Sequence, residues 1–172
     1  MSKIYLCRQP KDNIMKKKKV IAIVAHDNRK KDMMEWVAWN WKDLSPHSLI
    51  CTGTTGKLVN AVLVEKSREN DVIPPNIERL KSGPLGGDQQ LGALICEEKV
   101  DMLIFFWDPM EPQPHDVDVK ALLRISTLYN IPTATNRSTA DFLISSKLFH
   151  LEYHPILKDY RGYIKRDIGV EE

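Results

Sequence analysis

Cysteine is scarce in this 172-residue sequence: Cys7, Cys51 and Cys96 are an odd number, widely spaced, with no CxxC pair. That usage excludes a disulfide framework and offers no thiolate zinc site. Long apolar runs are missing too, none being longer than that of residues 102–107, against the roughly 20 needed to cross a bilayer. No membrane partner is expected. Residues 1–19 lack an apolar signal core and read as a polar, Lys-rich lead-in, so the cytoplasm is the expected compartment. Several chemical signatures are also absent. Neither GxxxxGK[ST] nor GxGxxG occurs, which removes support for nucleotide binding, and HExxH and GxSxG are missing as well. His26 and Asp27 could supply two metal ligands, but no third stands at a recognisable zinc spacing. Ser82-Gly83-Pro84 lacks the form of a nucleophile elbow, so covalent catalysis is not indicated.

What is present is an ordinary globular composition, 42% hydrophobic and 28% charged, within the length of one domain. The net charge of +2 hides an asymmetry: residues 1–19 carry seven Lys/Arg and one Asp, leaving the remainder at −4. The run of Lys16, Lys17, Lys18 and Lys19 could touch nucleic acid, but short terminal charge runs are more often solvated tails. No nucleic-acid partner is expected. The predicted organisation is a flexible basic extension over 1–19 and one α/β domain over 20–172, without repeats.

Periodicity supplies the fold class. Apolar, β-rich runs predict strands at 20–25, 48–51, 102–107 and 131–135. Helical spacing predicts helices carrying Met33, Met34, Trp36, Val37 and Trp41, then Leu58, Val59, Val62 and Leu63, then Leu91, Leu94 and Ile95. Two more follow over about 118–125 and 138–144, and the Met and Trp stripe reads as core packing. Residues 65–76, with Pro74 and Pro75, read as a surface connector. Strand and helix in alternation imply a doubly wound, mainly parallel sheet with helices on both faces. Ligands of such sheets bind outside the carboxyl ends of the strands. Polar groups stand at four of those ends: His26-Asp27, 52–55, Asp108, and Thr135-Asn136.

Thr52-Gly53-Thr54-Thr55-Gly56 offers hydroxyls and unencumbered amides at a helix start, where an anion such as phosphate is favoured. A tight turn with one Thr cap would explain only part of that stretch. Asp88 follows two glycines at another helix start and can be read as an N-terminal capping carboxylate or as a general base. A helix N-terminus favours the charged carboxylate, whereas base work gains from one that takes protons readily. His115 lies between Pro114 and Asp116 in a loop, where it could polarise a carbonyl oxygen or simply be solvated. Asp116 reads as an acid complementing a helix dipole.

Together AHD at His26, TGTTG at Thr52, SGPLGGDQQ at Ser82, FFWDP at Asp108 and PHDVDVKALLR at His115 closely resemble the methylglyoxal synthase family, in its order, across 20–144. The resemblance implies conversion of glycerone phosphate (dihydroxyacetone phosphate) to methylglyoxal and inorganic phosphate, with no cofactor and no metal. It makes Asp88 the catalytic base and His115 the group that polarises the substrate carbonyl, with Asp108 and Asp118 supporting proton handling and the orientation of His115. It assigns phosphate contacts to Lys30, Thr52, Gly53, Thr54, Thr55, Ser82 and Gly83, with His26 also at the site. It further implies a homohexamer, inhibited by inorganic phosphate and allosteric toward substrate. Three departures from the family pattern stand out: the basic lead-in, about ten extra residues near 65–76, and a C-terminus in which Gly162 follows Arg161 where the family places arginine beside Tyr163. The competing readings are a non-catalytic effector-binding module of the same fold and a nucleic-acid-binding protein using 16–19.

Overall fold

A computed structural model describes residues 15–111, 116–157 and 159. Cys7, His115, Tyr160, Arg161, Gly162 and Tyr163 therefore lie outside the described residues, as do the expectations placed on them. Five strands, β1 (Val20–Ala25), β2 (Ser48–Thr52), β3 (Ile77–Leu80), β4 (Met102–Phe106) and β5 (Thr133–Ala134), form one sheet ordered β3-β2-β1-β4-β5. All four neighbouring pairs are parallel, with Ala22 opposite Ile50 on one side and Leu103 on the other. Parallel neighbours need crossovers, and these are α1 (Lys30–Trp39), the short α2 (Trp41–Leu44), α3 (Gly53–Glu69), α4 (Gly87–Cys96) and α5 (Asp116–Leu128), with α6 (Arg137–Ser145) following β5.

Both faces of the sheet are covered, which is why β1 and β4 read as unbroken apolar runs rather than alternating ones. Ile21, Ile23, Ile104 and Phe106 pack with Met33, Trp36, Val59, Leu63 and Ile144 on one face. Ala22, Val24, Leu103 and Phe105 pack with Leu91, Ile95, Val119 and Leu122 on the other. The doubly wound architecture expected from the alternation is the one observed, and the stripe of Met33 and Trp36 is core.

Two elements differ from the periodicity. β3 was not expected, because its edge position leaves Glu78 and Arg79 exposed and gives a four-residue strand only two half-buried apolar side chains. α3 runs on to Glu69, past the predicted connector start at 65, since Ser67 is buried and the prolines stand five residues further on. At the amino end of the sheet, Met15 and Lys19 are buried while 16–18 are exposed: Met15 bridges Tyr153, and the Lys19 ammonium donates to the carbonyls of Lys16 and Leu151 at 3.1 and 2.9 Å.

The chain winds from β1 out to β3 and returns to place β4 on the other side of β1, so the order reverses between β1 and β4. At that switch point two strands diverge and leave a crevice at their carboxyl ends.

Candidate active site

The crevice is a cavity of about 270 Å³. Its walls are the exits of four strands and the starts of three helices: Val24 and Ala25 of β1 with His26, Asp27 and Lys30 following, Thr52 of β2 with Gly53 and Thr54 following, Ser82, Gly83 and Pro84 after β3, and Phe105 of β4, with Lys30 at the start of α1, Gly53 and Thr54 at the start of α3 and Asp88 at the start of α4. Eight residues predicted for the site therefore meet in one place: His26, Lys30, Thr52, Gly53, Thr54, Ser82, Gly83 and Asp88.

The loop after β2 becomes helical at once. Gly53 takes a φ of 37°, a left-handed conformation that side chains resist, and its N–H donates to Lys81 O at 3.1 Å. A Cβ on Gly53 would stand 2.7 Å from the Cα of Ser82. The two phosphate-type loops are thus pressed together by the lack of a side chain. Thr52, the N-cap of α3, makes no side-chain capping bond, and Gly53 and Thr54 of the first turn line the crevice, which brings the positive end of the helix dipole to it.

The Lys30 ammonium reaches in from the start of α1, 2.5 Å from the Asp27 carboxylate and in hydrogen-bond contact with the Thr54 hydroxyl. Asp27 is held below the usual carboxylate range by that hydrogen bond and by the charge of Lys30. A cation, a hydroxyl and helix-start amides at one spot make a seat for a phosphate dianion.

After β3 the chain turns through Gly83–Leu85, where the carbonyl of Ser82 accepts from both Leu85 and Gly87 N–H groups. Gly86 is left-handed at φ 93°, and a Cβ on Gly87 would come within 2.1 Å of Lys81 O. These glycines let α4 begin directly against the loop, and the second residue of α4 is Asp88, only 4% exposed. Its carboxylate also borders a second cavity, of about 220 Å³, between α4 and α5, where Asp118 and Gly92 stand with Ala121, Leu122 and Ile125. Asp118 thus shares a space with Asp88 without lining the main crevice.

His26 is buried, stacked edge-on against Phe105 at 5.1 Å, and its Nδ1 accepts from Asp108 N–H at 3.3 Å. Asp108 stands beside the crevice rather than in its wall. Its carboxyl is held below the usual range by the Met110 N–H first and then by the Asn28 amide. Thr55 is buried, its hydroxyl donating to Ala25 O at 3.3 Å, so that side chain ties α3 to β1. Asn28, Pro84 and Phe105 were not singled out as site residues from sequence, whereas Asp27 was marked beside His26 at the end of β1 and pairs there with Lys30 at i, i+3. Among the described residues, no three His, Cys, Asp or Glu side chains group to hold a metal ion.

A family model described as an MGS-like domain matches residues 32–135. The chain is 57% identical over 158 residues, 90% of its length and the whole of the relative, to a protein of Maridesulfovibrio salexigens named methylglyoxal synthase. A protein of the same name from Proteus mirabilis is 51% identical over 90% of this chain and 95% of its own. A crystal structure of methylglyoxal synthase from Elizabethkingia anophelis matches with a TM-score of 0.77 at 46% identity, covering 90% of this chain and 95% of that one. Likeness of this degree, carried along nine-tenths of the sequence and through the fold, places the chain in the methylglyoxal synthase family, as a lyase.

Proposed function

We propose that the chain converts glycerone phosphate to methylglyoxal and inorganic phosphate, with Asp88 as the base. The observation that carries this reading is that one crevice holds both a buried carboxylate at a helix start and, across it, a cation and hydroxyls suited to a phosphate. Substrate phosphate would sit on the start of α3, contacted by Lys30, Thr52, Gly53, Thr54, Ser82 and Gly83. The reacting end would then point toward Asp88.

Asp88 would take a proton from the hydroxymethyl carbon beside the carbonyl, and the electron pair would move onto the carbonyl oxygen to give an enediolate. Charge builds on that oxygen, so fixed donors are needed there, each supplying about 2.7–4 kcal/mol. His115, by its place in the family motif, is assigned this role, with His26 on the adjacent wall. The enediolate is also the intermediate of an isomerase, which must keep its phosphate. Here the bridging C–O bond must lie perpendicular to the enediolate plane, so that the π electrons enter its σ* orbital, the bond breaks and phosphate departs with the pair. The hydroxyl on the deprotonated carbon becomes the aldehyde carbonyl, and its proton passes to the enediolate oxygen. The enol left behind ketonises to methylglyoxal. A rigid phosphate seat fixes that torsion as well as the affinity, and the contact of Gly53 with Ser82 supplies rigidity. Asp108 and Asp118 support proton handling beside the site. No cofactor or metal enters this scheme.

The same reading includes inorganic phosphate as product and inhibitor, a cytoplasmic setting, a homohexamer, and the division into a basic extension over 1–19 and a catalytic domain over 20–172. It is tested by incubating the purified chain with glycerone phosphate and following methylglyoxal and free phosphate together. Equal release of the two is expected; phosphate binding without product would favour an effector-binding module instead.

A further inference from the structure

A further cavity, of about 140 Å³, lies at the opposite end of the sheet from the crevice, between the amino ends of β4 and β5 and the turn that follows α6. Met102, the first residue of β4, lines it, whereas Phe105 of the same strand lines the crevice. About 10 Å of strand separates the two spaces. Met15, Leu143 and Phe149 add apolar wall, and the half-exposed Leu148 stands at the rim. Among the described residues that line this cavity the one charged side chain is Lys19, itself only 2% exposed.

An ammonium carries three protons, and the carbonyls of Lys16 and Leu151 accept two of those on Lys19. These bonds tie the segment before β1 to the one after α6, but a neutral donor would do that equally well. A buried charge is costly unless a counter-charge meets it, and the described residues give Lys19 no ion pair. Asp101 acts on it through space, while its Oδ2 accepts from Val20 N–H at 2.7 Å. Burial is the first cause lowering the Lys19 pKa, and Asp101 opposes it. Two hydroxyl-bearing residues share the wall, Ser146 and Tyr153. The Ser146 oxygen accepts from Leu148 N–H at 3.2 Å, which leaves its proton to donate. A cation and hydroxyl donors set among apolar walls match a carboxylate head on a short apolar body. A phosphate dianion fits poorly, since it brings two charges to one cation and has no apolar part to bury. We propose that this cavity binds a small aliphatic monocarboxylate, its head on Lys19 and its chain among Met15, Met102 and Leu143. An apolar cavity of roughly 150 Å³ holds a benzene ring, so a four-carbon acid has room. The proposal does not rest on the proposed function.

The test uses the full chain with butanoate as the probe, calorimetry for affinity and methyl NMR for location. A Kd of about 1 mM or tighter is expected for a ligand of this size. Butanamide has the same shape without the charge and should bind at least about tenfold more weakly. With butanoate at about ten times its Kd, Tm should rise by about 3–6 °C. The Met15 and Met102 methyl signals should shift on binding, and saturating inorganic phosphate should leave the butanoate Kd within about twofold, as for independent sites. Lys19→Met removes the charge but keeps an apolar chain, and should weaken butanoate by about tenfold or more. If that variant does not fold, the comparison with butanamide and the methyl shifts decide without it. The proposal is overturned by absence of binding at about 10 mM butanoate, by equal affinity for butanamide, or by wild-type affinity in a folded Lys19→Met. Displacement of butanoate by phosphate, with shifts confined to crevice residues, would overturn it too.

Discussion

Substituting Gly53 by alanine tests whether the closeness of the two loops makes the phosphate seat. The new Cβ would lie 2.7 Å from both Cα and Cβ of Ser82 and 3.1 Å from its nitrogen, so the obstruction is mostly backbone and cannot swing aside. The φ of 37° adds its own penalty, roughly 1–2 kcal/mol for a side chain in the left-handed region. Overpacking contributes roughly 1–3 kcal/mol, giving a total of about 2–5 kcal/mol before relaxation. At about 2–4 °C per kcal/mol for a chain of this size, Tm should fall by roughly 10 °C. The loops can relieve the overlap only by moving apart several tenths of an ångström, which widens the seat between Thr54 and Ser82. Misplacement of this order costs up to about 100-fold in kcat/KM. Differential scanning calorimetry at fixed protein concentration, with titration of inorganic phosphate, reads both effects. Wild-type Tm together with wild-type phosphate affinity would refute the reasoning.

Two further outcomes follow from the same structure. Lys30→Ala removes the cation that contacts Thr54 and Asp27, so phosphate affinity should fall about 10- to 100-fold, with KM rising in parallel, as equilibrium titration would measure. His47 is buried, with its Nδ1 accepting from Lys19 N–H, and burial first, then the charge of Lys19, lowers its pKa from 6.5 to about 4. The unfolded chain therefore binds a proton in that window that the folded chain does not, and stability declines as pH falls from 6.5 to 4. The decline is at most about 1.4 kcal/mol per pH unit. Urea denaturation of wild type against His47→Gln should show this slope only in the wild type; equal slopes would contradict it.

How far the sequence reveals the fold depends on what each strand must bury. β1 and β4 are covered on both faces, so Ile21 to Val24 and Met102 to Phe106 could be nothing but apolar, and their run length identifies them. β3 pairs only with β2 and keeps Glu78 and Arg79 in water, so no periodicity marks it. β5 is held to Thr133–Ala134 although its apolar run begins at Ile131, because Pro132 has no N–H to give to the ladder. The strand-end rule was enough to bring His26, Asp27 and Thr52 together, since it depends only on direction and order. Asp108 and Thr135-Asn136, marked by the same rule, do not line the crevice, and Ser82, which follows the unexpected β3, was assigned to the site only by the family resemblance. Asn28 escaped because its meaning lies in Asp108, 80 residues away, and an asparagine after a strand reads as an ordinary turn residue. Thr55 shows the converse: it sits within the phosphate-loop motif, while its hydroxyl serves the packing of α3 on β1.

The central claim is that one buried carboxylate, Asp88, starts an elimination on a substrate held by its phosphate. The most direct test compares wild type with Asp88→Asn, following methylglyoxal and phosphate released from glycerone phosphate while calorimetry follows inorganic phosphate binding. The isosteric amide should leave phosphate affinity within about threefold and lower kcat by roughly 100-fold or more, the contribution of a general base. Product formation at the wild-type rate in Asp88→Asn would contradict the account.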